Sequence, residues 1–125
     1  MGLNVLIVDD SFVMRKIVAR SVRYAAKDPI DSVIEAADGG EAIEKLNGAS
    51  VQVIFSDINM PNIGGLELLR KLRDTPHSST PVIIVTTEGG EKTVLEALEL
   101  GAKAFIKKPF TPAQIEAALA KALRD

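Results

Sequence analysis

Five stretches rich in β-branched residues alternate with five helical patterns along this chain, and the alternation restricts its fold more than any other feature. The expected strands are Leu3–Val8, Ser32–Ala37, Val51–Asp57, Val82–Val85 and Ala104–Lys107. The expected helices cover about 12–26, 39–47, 65–73 and 91–100, and a last helix starts at Pro112. Helices between successive strands provide the crossover connections that parallel strands need.

The first and fourth strands, Leu3–Val8 and Val82–Val85, are continuous apolar runs. Such runs are typical of strands that are covered on both faces of a sheet. We therefore predict an α/β fold of the flavodoxin-like, doubly wound class, with five parallel strands in the order 2-1-3-4-5 and five helices. At 125 residues the chain has room for one domain, which we expect to span 1–125.

Local signals orient and delimit the helices. At helical periodicity, one side of the first helix is apolar and is expected to face the sheet: Val13, Met14, Ile17 and Val18. Its other side is basic, which we interpret as a solvated face: Arg15, Lys16, Arg20 and Arg23. Two helix starts have the spacing of capping boxes: Asp38 with Glu41, and Thr111 with Gln114.

Composition excludes several classes of function. The chain has no cysteine, which excludes disulfides, thiolate zinc sites and thiol nucleophiles. Its net charge of −2 provides no general attraction for nucleic acid. The apolar runs are too short to cross a bilayer, and no secretory signal precedes them. We therefore expect a cytoplasmic protein that binds neither nucleic acid nor membrane.

Polar and charged residues stand at the carboxyl ends of four predicted strands. Asp9 and Asp10 follow the first strand and Asp57 ends the third. Thr86 follows the fourth strand and Lys108 the fifth. In a parallel α/β sheet these ends share one edge, which is where ligands bind. A lone strand-end aspartate is usually only solvated, but the convergence of three carboxylates, a hydroxyl and an ammonium predicts a site.

The charges of this predicted site restrict its chemistry. Like charges about 4 Å apart repel by about 4 kcal/mol at an effective dielectric constant near 20. The three acids must therefore protonate, pair with a cation or bind a metal, and all-oxygen ligands suit Mg²⁺. With a lysine and a hydroxyl but no thiol or general base, the site is suited to hold a phosphoryl group. The acceptor would then be a carboxylate.

The chain closely resembles the receiver domains of two-component response regulators, in particular the stand-alone chemotaxis regulators of the CheY type. The resemblance covers the whole chain. It rests on Val8-Asp9-Asp10-Ser11, Met14-Arg15, Ser56-Asp57-Ile58-Asn59-Met60-Pro61-Asn62, Val85-Thr86, Gly101-Ala102, Phe105 and Lys108-Pro109-Phe110.

The resemblance implies a role for each residue of the predicted site. Asp57 would accept a phosphoryl group from a histidine kinase, Lys108 would pair with that group, and Thr86 would hydrogen-bond it. The ligands of Mg²⁺ would be Asp10, Asp57 and the main-chain carbonyl of Asn59, with Asp9 acting through a bound water. The resemblance also implies a cis Lys108–Pro109 bond.

The resemblance further implies a signalling protein rather than an enzyme. Phosphorylation would draw Thr86 inward, turn Phe105 inward and change the surface of the fourth helix, fifth strand and fifth helix. A monomer without an output domain would act by binding a protein, such as a flagellar motor switch or a phosphotransfer protein. The alternative within this class is a phosphoryl shuttle or sink in a phosphorelay. Asn59 and Glu88 would tune how long the phosphoryl group persists.

Two other classes fit the sequence less well. A phosphatase with an aspartate nucleophile normally has a second aspartate two residues later as its general acid, and that position here is Asn59. A flavin or nucleotide binder would have a phosphate loop after the first strand, where this chain has Asp9 and Asp10.

Three positions depart from the pattern of the family. Gly64 replaces an acidic residue and is expected to alter the local turn only. Phe105 lacks the hydroxyl of a tyrosine, so the switch is expected to work without one hydrogen bond to a target. Thr87 stands where alanine or glycine is usual, and its bulk is expected to narrow the access of a phosphatase to the pocket.

Overall fold

Strand and helix alternate throughout residues 2–123, the part of the chain that the computed structural model describes. The strands are β1 (Leu3–Val8), β2 (Ile30–Ala36), β3 (Val53–Ser56), β4 (Val82–Thr86) and β5 (Ala104–Lys107). The helices are α1 (Phe12–Ala25), α2 (Gly39–Leu46), α3 (Gly65–Leu72), α4 (Glu91–Glu99) and α5 (Pro112–Leu123).

The five strands form one parallel sheet in the order β2-β1-β3-β4-β5. The register pairs Val8 with Ser56 and Thr86 with Lys107. The carboxyl ends of the strands are therefore aligned at one edge, immediately before Asp9, Asp57 and Lys108. The predicted fold class and strand order are confirmed.

Two strands start at other residues than predicted, and three strand ends differ by one residue. β2 begins earlier than predicted, at Ile30, because this residue pairs with Leu3 at the start of β1. β3 begins later than predicted, at Val53. Just before it, a side-chain oxygen of Gln52, rather than a main-chain oxygen, accepts the N–H of Asn4 at 2.7 Å. The N–H of Gln52 still donates to the main-chain oxygen of Asn4 at 3.0 Å, so the side chain replaces only one of the two main-chain partners at this position.

The hydrophobic core has two layers, one on each face of the sheet. Alternate residues of β1, such as Val5 and Leu6, belong to opposite layers. One layer is completed by α1 and α5, and the other by α2, α3 and α4. Because both faces are covered, the strands can be apolar along their whole length.

The predicted inward face of α1 is wrong for two of its four residues. Val13 and Ile17 are 66% and 45% exposed, whereas Met14 and Val18 pack into the core together with Val22. The inward stripe therefore follows the spacing i, i+4, i+8 from Met14. Apolar residues occur nearly all round this helix, so periodicity alone fits more than one orientation, and contact with β1 and α5 decides between them.

Side chains cap two helices as the sequence predicts. At α2, Asp38 accepts the N–H of Glu41 at 2.8 Å, although the Glu41 carboxylate binds the N–H of Ala37 rather than that of Asp38. At α5, Thr111 and Gln114 bind each other's N–H groups in a complete capping box. Among residues 2–123, no helix is long and apolar enough to span a membrane.

Candidate acidic site at the carboxyl edge of the sheet

Three aspartates converge at the carboxyl edge of the sheet, as predicted. Asp9 and Asp10 follow β1, and Asp57 follows the neighbouring β3. Each offers a carboxylate oxygen to a group of atoms that lie within 4.8 Å of one another. Asp9 is buried and Asp10 is exposed, so the cluster is open to solvent on the side of Asp10.

Lys108 joins two of these acids. Its ammonium donates to Asp9 Oδ2 at 2.9 Å and to Asp57 Oδ2 at 3.0 Å. All three side chains are nearly enclosed, with 10% of Lys108, 5% of Asp9 and 12% of Asp57 exposed. The Lys108–Pro109 peptide bond is cis, as expected.

The ammonium of Lys108 is held in its charged form. Burial opposes the charge, but hydrogen bonds and charge attraction from Asp9 and Asp57 outweigh it and raise the pKa of Lys108 above its ordinary value of 10.5. Three carboxylates against one ammonium leave a formal charge of −2 in the site. Two carboxylates about 5 Å apart still repel by about 3.3 kcal/mol at a dielectric constant near 20.

Main-chain N–H groups fix the two enclosed carboxylates. Ser11 donates its N–H to Asp9 Oδ1 at 2.9 Å, and Ile58 donates its N–H to Asp57 Oδ1 at 2.6 Å. Each of these carboxylates therefore has one oxygen on the main chain and the other on Lys108. Sequence reasoning missed both N–H donors, because every residue type except proline has a main-chain N–H.

The other predicted site residues lie close by in the fold. Thr86 is fully buried at the end of β4, where its hydroxyl oxygen accepts the N–H of Glu88 at 3.2 Å. The main chain of Lys108 is tied to this strand end, because its N–H donates to the Thr86 carbonyl. Asn59 and Thr87 are exposed. The Thr86 hydroxyl is thus hydrogen-bonded within the turn that follows β4.

The donor set fits a hard divalent cation. All candidate ligand atoms are carboxylate oxygens, the net charge is negative, and the exposed Asp10 leaves room for water in the coordination shell. Mg²⁺ binds in this way, through one or two carboxylates and several waters. The cluster can therefore hold a metal ion, as the sequence predicts.

One residue that contacts this site was not predicted to do so. Arg15, on the first turn of α1, donates to the main-chain oxygen of Asp9 at 2.7 Å and to Glu35 Oε1 at 2.9 Å. Helical periodicity predicts that Arg15 lies on a solvated basic face, yet its side chain is only 15% exposed. The only sign in the sequence that Arg15 contacts the site is its place in the Met14-Arg15 part of the family pattern. Nothing in the sequence indicates that Glu35 on β2 binds it.

The chain belongs to the response regulator receiver domain family, whose profile matches residues 5–120. Members of this family are signalling domains rather than classical enzymes, so the predicted class of protein is confirmed.

The chain is also similar to individual chemotaxis proteins. It is 41% identical over 112 residues to the chemotaxis protein CheY1 of Helicobacter pylori, covering 88% of each protein. It is equally identical to the chemotaxis protein CheY homolog of Campylobacter jejuni, covering 88% of this chain and 84% of that protein. The solved structure of the chemotaxis response regulator CheY4 of Vibrio cholerae matches with a TM-score of 0.83 at 34% identity, covering 98% of this chain and 100% of that one.

Proposed function

We propose that this chain is a phosphorylation-activated switch in chemotaxis signalling and that Asp57 accepts the phosphoryl group from a histidine kinase. One observation carries the proposal: the Asp57 carboxylate is held 3.0 Å from the Lys108 ammonium in a pocket with two further acids. The chemotaxis assignment is supported by relatives with that role in their names at 41% identity.

The proposed transfer needs no general base. A carboxylate oxygen of Asp57 attacks phosphorus, the new O–P bond forms, and the P–N bond to the donor histidine breaks. The electron pair of that bond returns to the imidazole, which takes up a proton. Lys108 then faces the new phosphoryl oxygens with its fixed positive charge, as phosphoryl transfer requires.

We further propose that the metal is Mg²⁺, because the acidic cluster fits its preference for oxygen ligands. Asp10, Asp57 and the main-chain carbonyl of Asn59 would bind it directly, and Asp9 would act through water. When bound, the ion supplies positive charge between the carboxylates and the phosphoryl oxygens.

The proposed output surface consists of α4, β5 and α5. Leu95 and Leu98 of α4 are 56% and 42% exposed. Leu98 also lines a groove of about 410 Å³ that runs along β5 and α5. Phe105 lines this groove while it packs against the core layer formed by α2, α3 and α4. It therefore links the interior to the surface that a partner would contact.

In the proposed switch, phosphate on Asp57 draws the Thr86 hydroxyl away from the turn at Glu88. The space vacated at the end of β4 is then filled by Phe105, whose register partner is Ile84 of β4. A partner that prefers the rearranged groove binds the phosphorylated form more tightly. A flagellar motor switch or a phosphotransfer protein of the cytoplasm would be such a partner.

A labelling experiment tests the acceptor. The wild-type protein, incubated with Mg²⁺ and a small acyl-phosphate donor, is expected to gain the mass of one phosphoryl group. Asp57→Asn should gain none, because an amide is not a phosphoryl acceptor. Asp28→Asn, at an exposed position outside the site, is the matched control and should be labelled like the wild type. Stoichiometric labelling of Asp57→Asn would contradict the proposal.

A further inference from the structure

Arg15 connects β2 to the loop that carries two of the three acids. Its guanidinium donates to the main-chain oxygen of Asp9 at 2.7 Å and, through Nε, to Glu35 Oε1 at 2.9 Å. The two side chains are 15% and 22% exposed, so the contact is mostly shielded from water. The planar guanidinium fixes the angle between the two bonds, which a flexible ammonium does not.

With the hydrogen bond from Arg15, every polar group of Asp9 has a partner. The N–H of Asp9 donates to the Ala36 carbonyl of β2, and its carboxylate is bound by Ser11 and Lys108. The Asp9 carbonyl is the remaining polar group of that residue, and Arg15 binds it. Because this carbonyl belongs to the peptide that leads into Asp10, its orientation sets the direction in which Asp10 leaves β1.

We infer that Arg15, anchored by Glu35, is a positioning residue for the metal site, and that it acts by orienting the Asp9–Asp10 peptide. The inference rests on the proposed function, since it assigns Asp10 and Asp57 as the metal ligands. Groups that hold ligands in place typically change metal affinity by about 10-fold to 100-fold when they are removed.

A purely electrostatic role for Arg15 predicts the opposite sign. A positive charge near an acidic site repels a metal cation, so its removal should strengthen metal binding. Loss of positioning should weaken it. The direction of the change in Mg²⁺ affinity therefore separates the two roles.

Lys16 provides a matched control. It also binds Glu35, at 2.6 Å, and it also lies over the ring of Phe12, as Arg15 does. Its side chain is 52% exposed. Lys16→Gln thus removes one positive charge and one contact with Glu35 and leaves the bond from Arg15 to Asp9 in place.

The experiment measures Mg²⁺ binding to the unphosphorylated protein from amide chemical shifts of Asp10 and Asp57 during titration. Arg15→Gln is expected to raise the Mg²⁺ dissociation constant about 10-fold, and Lys16→Gln less than twofold. Labelling of Arg15→Gln by an acyl-phosphate donor should recover at saturating Mg²⁺, because affinity and not the acceptor is affected. Unchanged or tighter binding by Arg15→Gln would overturn the inference.

Two further measurements separate a failure of the role of Arg15 from a folding defect and from a failure of the metal site. Thermal unfolding without metal shows whether Arg15→Gln folds. If it does not, Glu35→Ala, which removes the acceptor that anchors Arg15 and keeps Arg15 itself, is expected to weaken Mg²⁺ binding about 3-fold to 10-fold. Unchanged binding by this variant would overturn the inference. If the wild type itself binds no Mg²⁺ at Asp10 and Asp57, the proposed metal site fails. If the wild type binds and the variants match it, only the role of Arg15 fails.

Discussion

At the residue scale, sequence reasoning identified the charged side chains of the site but not what holds them. Asp9, Asp57 and Lys108 were expected to converge because each follows a strand of one parallel sheet, and they do. The restraint by Ser11 and Ile58 could not be predicted, since it uses main-chain N–H groups that every residue except proline has.

Glu35 should make the stability of the protein depend on pH in the acid range. Partial burial opposes its charge, but hydrogen bonds from Lys16 and Arg15 outweigh burial and lower the pKa of Glu35 below its ordinary value of 4.5. A carboxyl group whose pKa is lower in the folded state stabilises that state at pH values above its unfolded-state pKa. The stabilisation is lost as the pH falls through the folded-state pKa. Glu35→Gln should therefore cost about 1 kcal/mol of unfolding free energy near neutral pH and progressively less below about pH 4.5.

Urea unfolding of the wild type and of Glu35→Gln at several pH values measures this difference. Glu116→Gln is the control, because Glu116 pairs at 3.6 Å with Lys27, which is 85% exposed. Its difference from the wild type should stay within about 0.5 kcal/mol at every pH. A difference between wild type and Glu35→Gln that does not shrink toward acid pH would show that the ion pair contributes through packing alone.

At the element scale, strand order followed from the sequence while the orientation of α1 did not. Alternation of strands and helices leaves few topologies, since crossovers are right-handed and the strands are apolar on both faces. The orientation of α1 depends on which of several apolar arcs meets β1 and α5. The exposure of Val13 and Ile17 is therefore determined by tertiary packing and could not be predicted from helical periodicity.

The start of α3 lies close to the main chain of Asp57, the proposed acceptor. A Cβ atom at Gly65 would collide with the main-chain oxygen of Asp57. Backbone groups cannot move aside as a flexible side chain can, so Gly65→Ala must displace the loop between β3 and α3. We expect a loss of about 2 kcal/mol in unfolding free energy and slower labelling by an acyl-phosphate donor.

Gly90→Ala is the matched control for Gly65→Ala. Gly90 is the residue before α4, and a Cβ atom there would meet nothing within 4 Å. Its unfolding free energy should change by less than about 1 kcal/mol, with the rate of labelling unchanged. Chemical denaturation and labelling time courses of the two variants test the prediction, which fails if the variants are equally stable and equally reactive.

At the scale of the whole molecule, the sequence predicts two regions that must communicate. In the proposed switch, Asp57 acts on the groove along β5 and α5 through Thr86 and Phe105. Thr86 is buried at the end of β4, and Phe105 lines the groove. The fold places both residues on adjacent strands, with register pairing between Ile84 and Phe105. The family resemblance identifies both positions from the sequence, whereas the groove forms only when the helices pack against the sheet.

Thr86→Ala should separate phosphorylation from its effect on the groove. Asp57 and Lys108 remain in place, so a phosphoryl mimic such as beryllofluoride with Mg²⁺ should still bind. Without the hydroxyl, nothing draws the end of β4 inward, so amide shifts of Leu98 and Phe105 should change by less than half as much as in the wild type. Thr87→Ala is the control. Because Thr87 is exposed, this substitution should leave the shift changes at Leu98 and Phe105 intact. A full response in Thr86→Ala would place the switch elsewhere.

Phosphorylation of Asp57 is the central claim, and reductive trapping of the acyl phosphate tests it most directly. Borohydride converts a phosphorylated aspartate to homoserine, which peptide sequencing by mass spectrometry locates. After treatment with an acyl-phosphate donor and Mg²⁺, the conversion is expected at position 57 and at no other acid. Homoserine at Asp9 or Asp10 instead, or labelled protein that yields no homoserine, would contradict it.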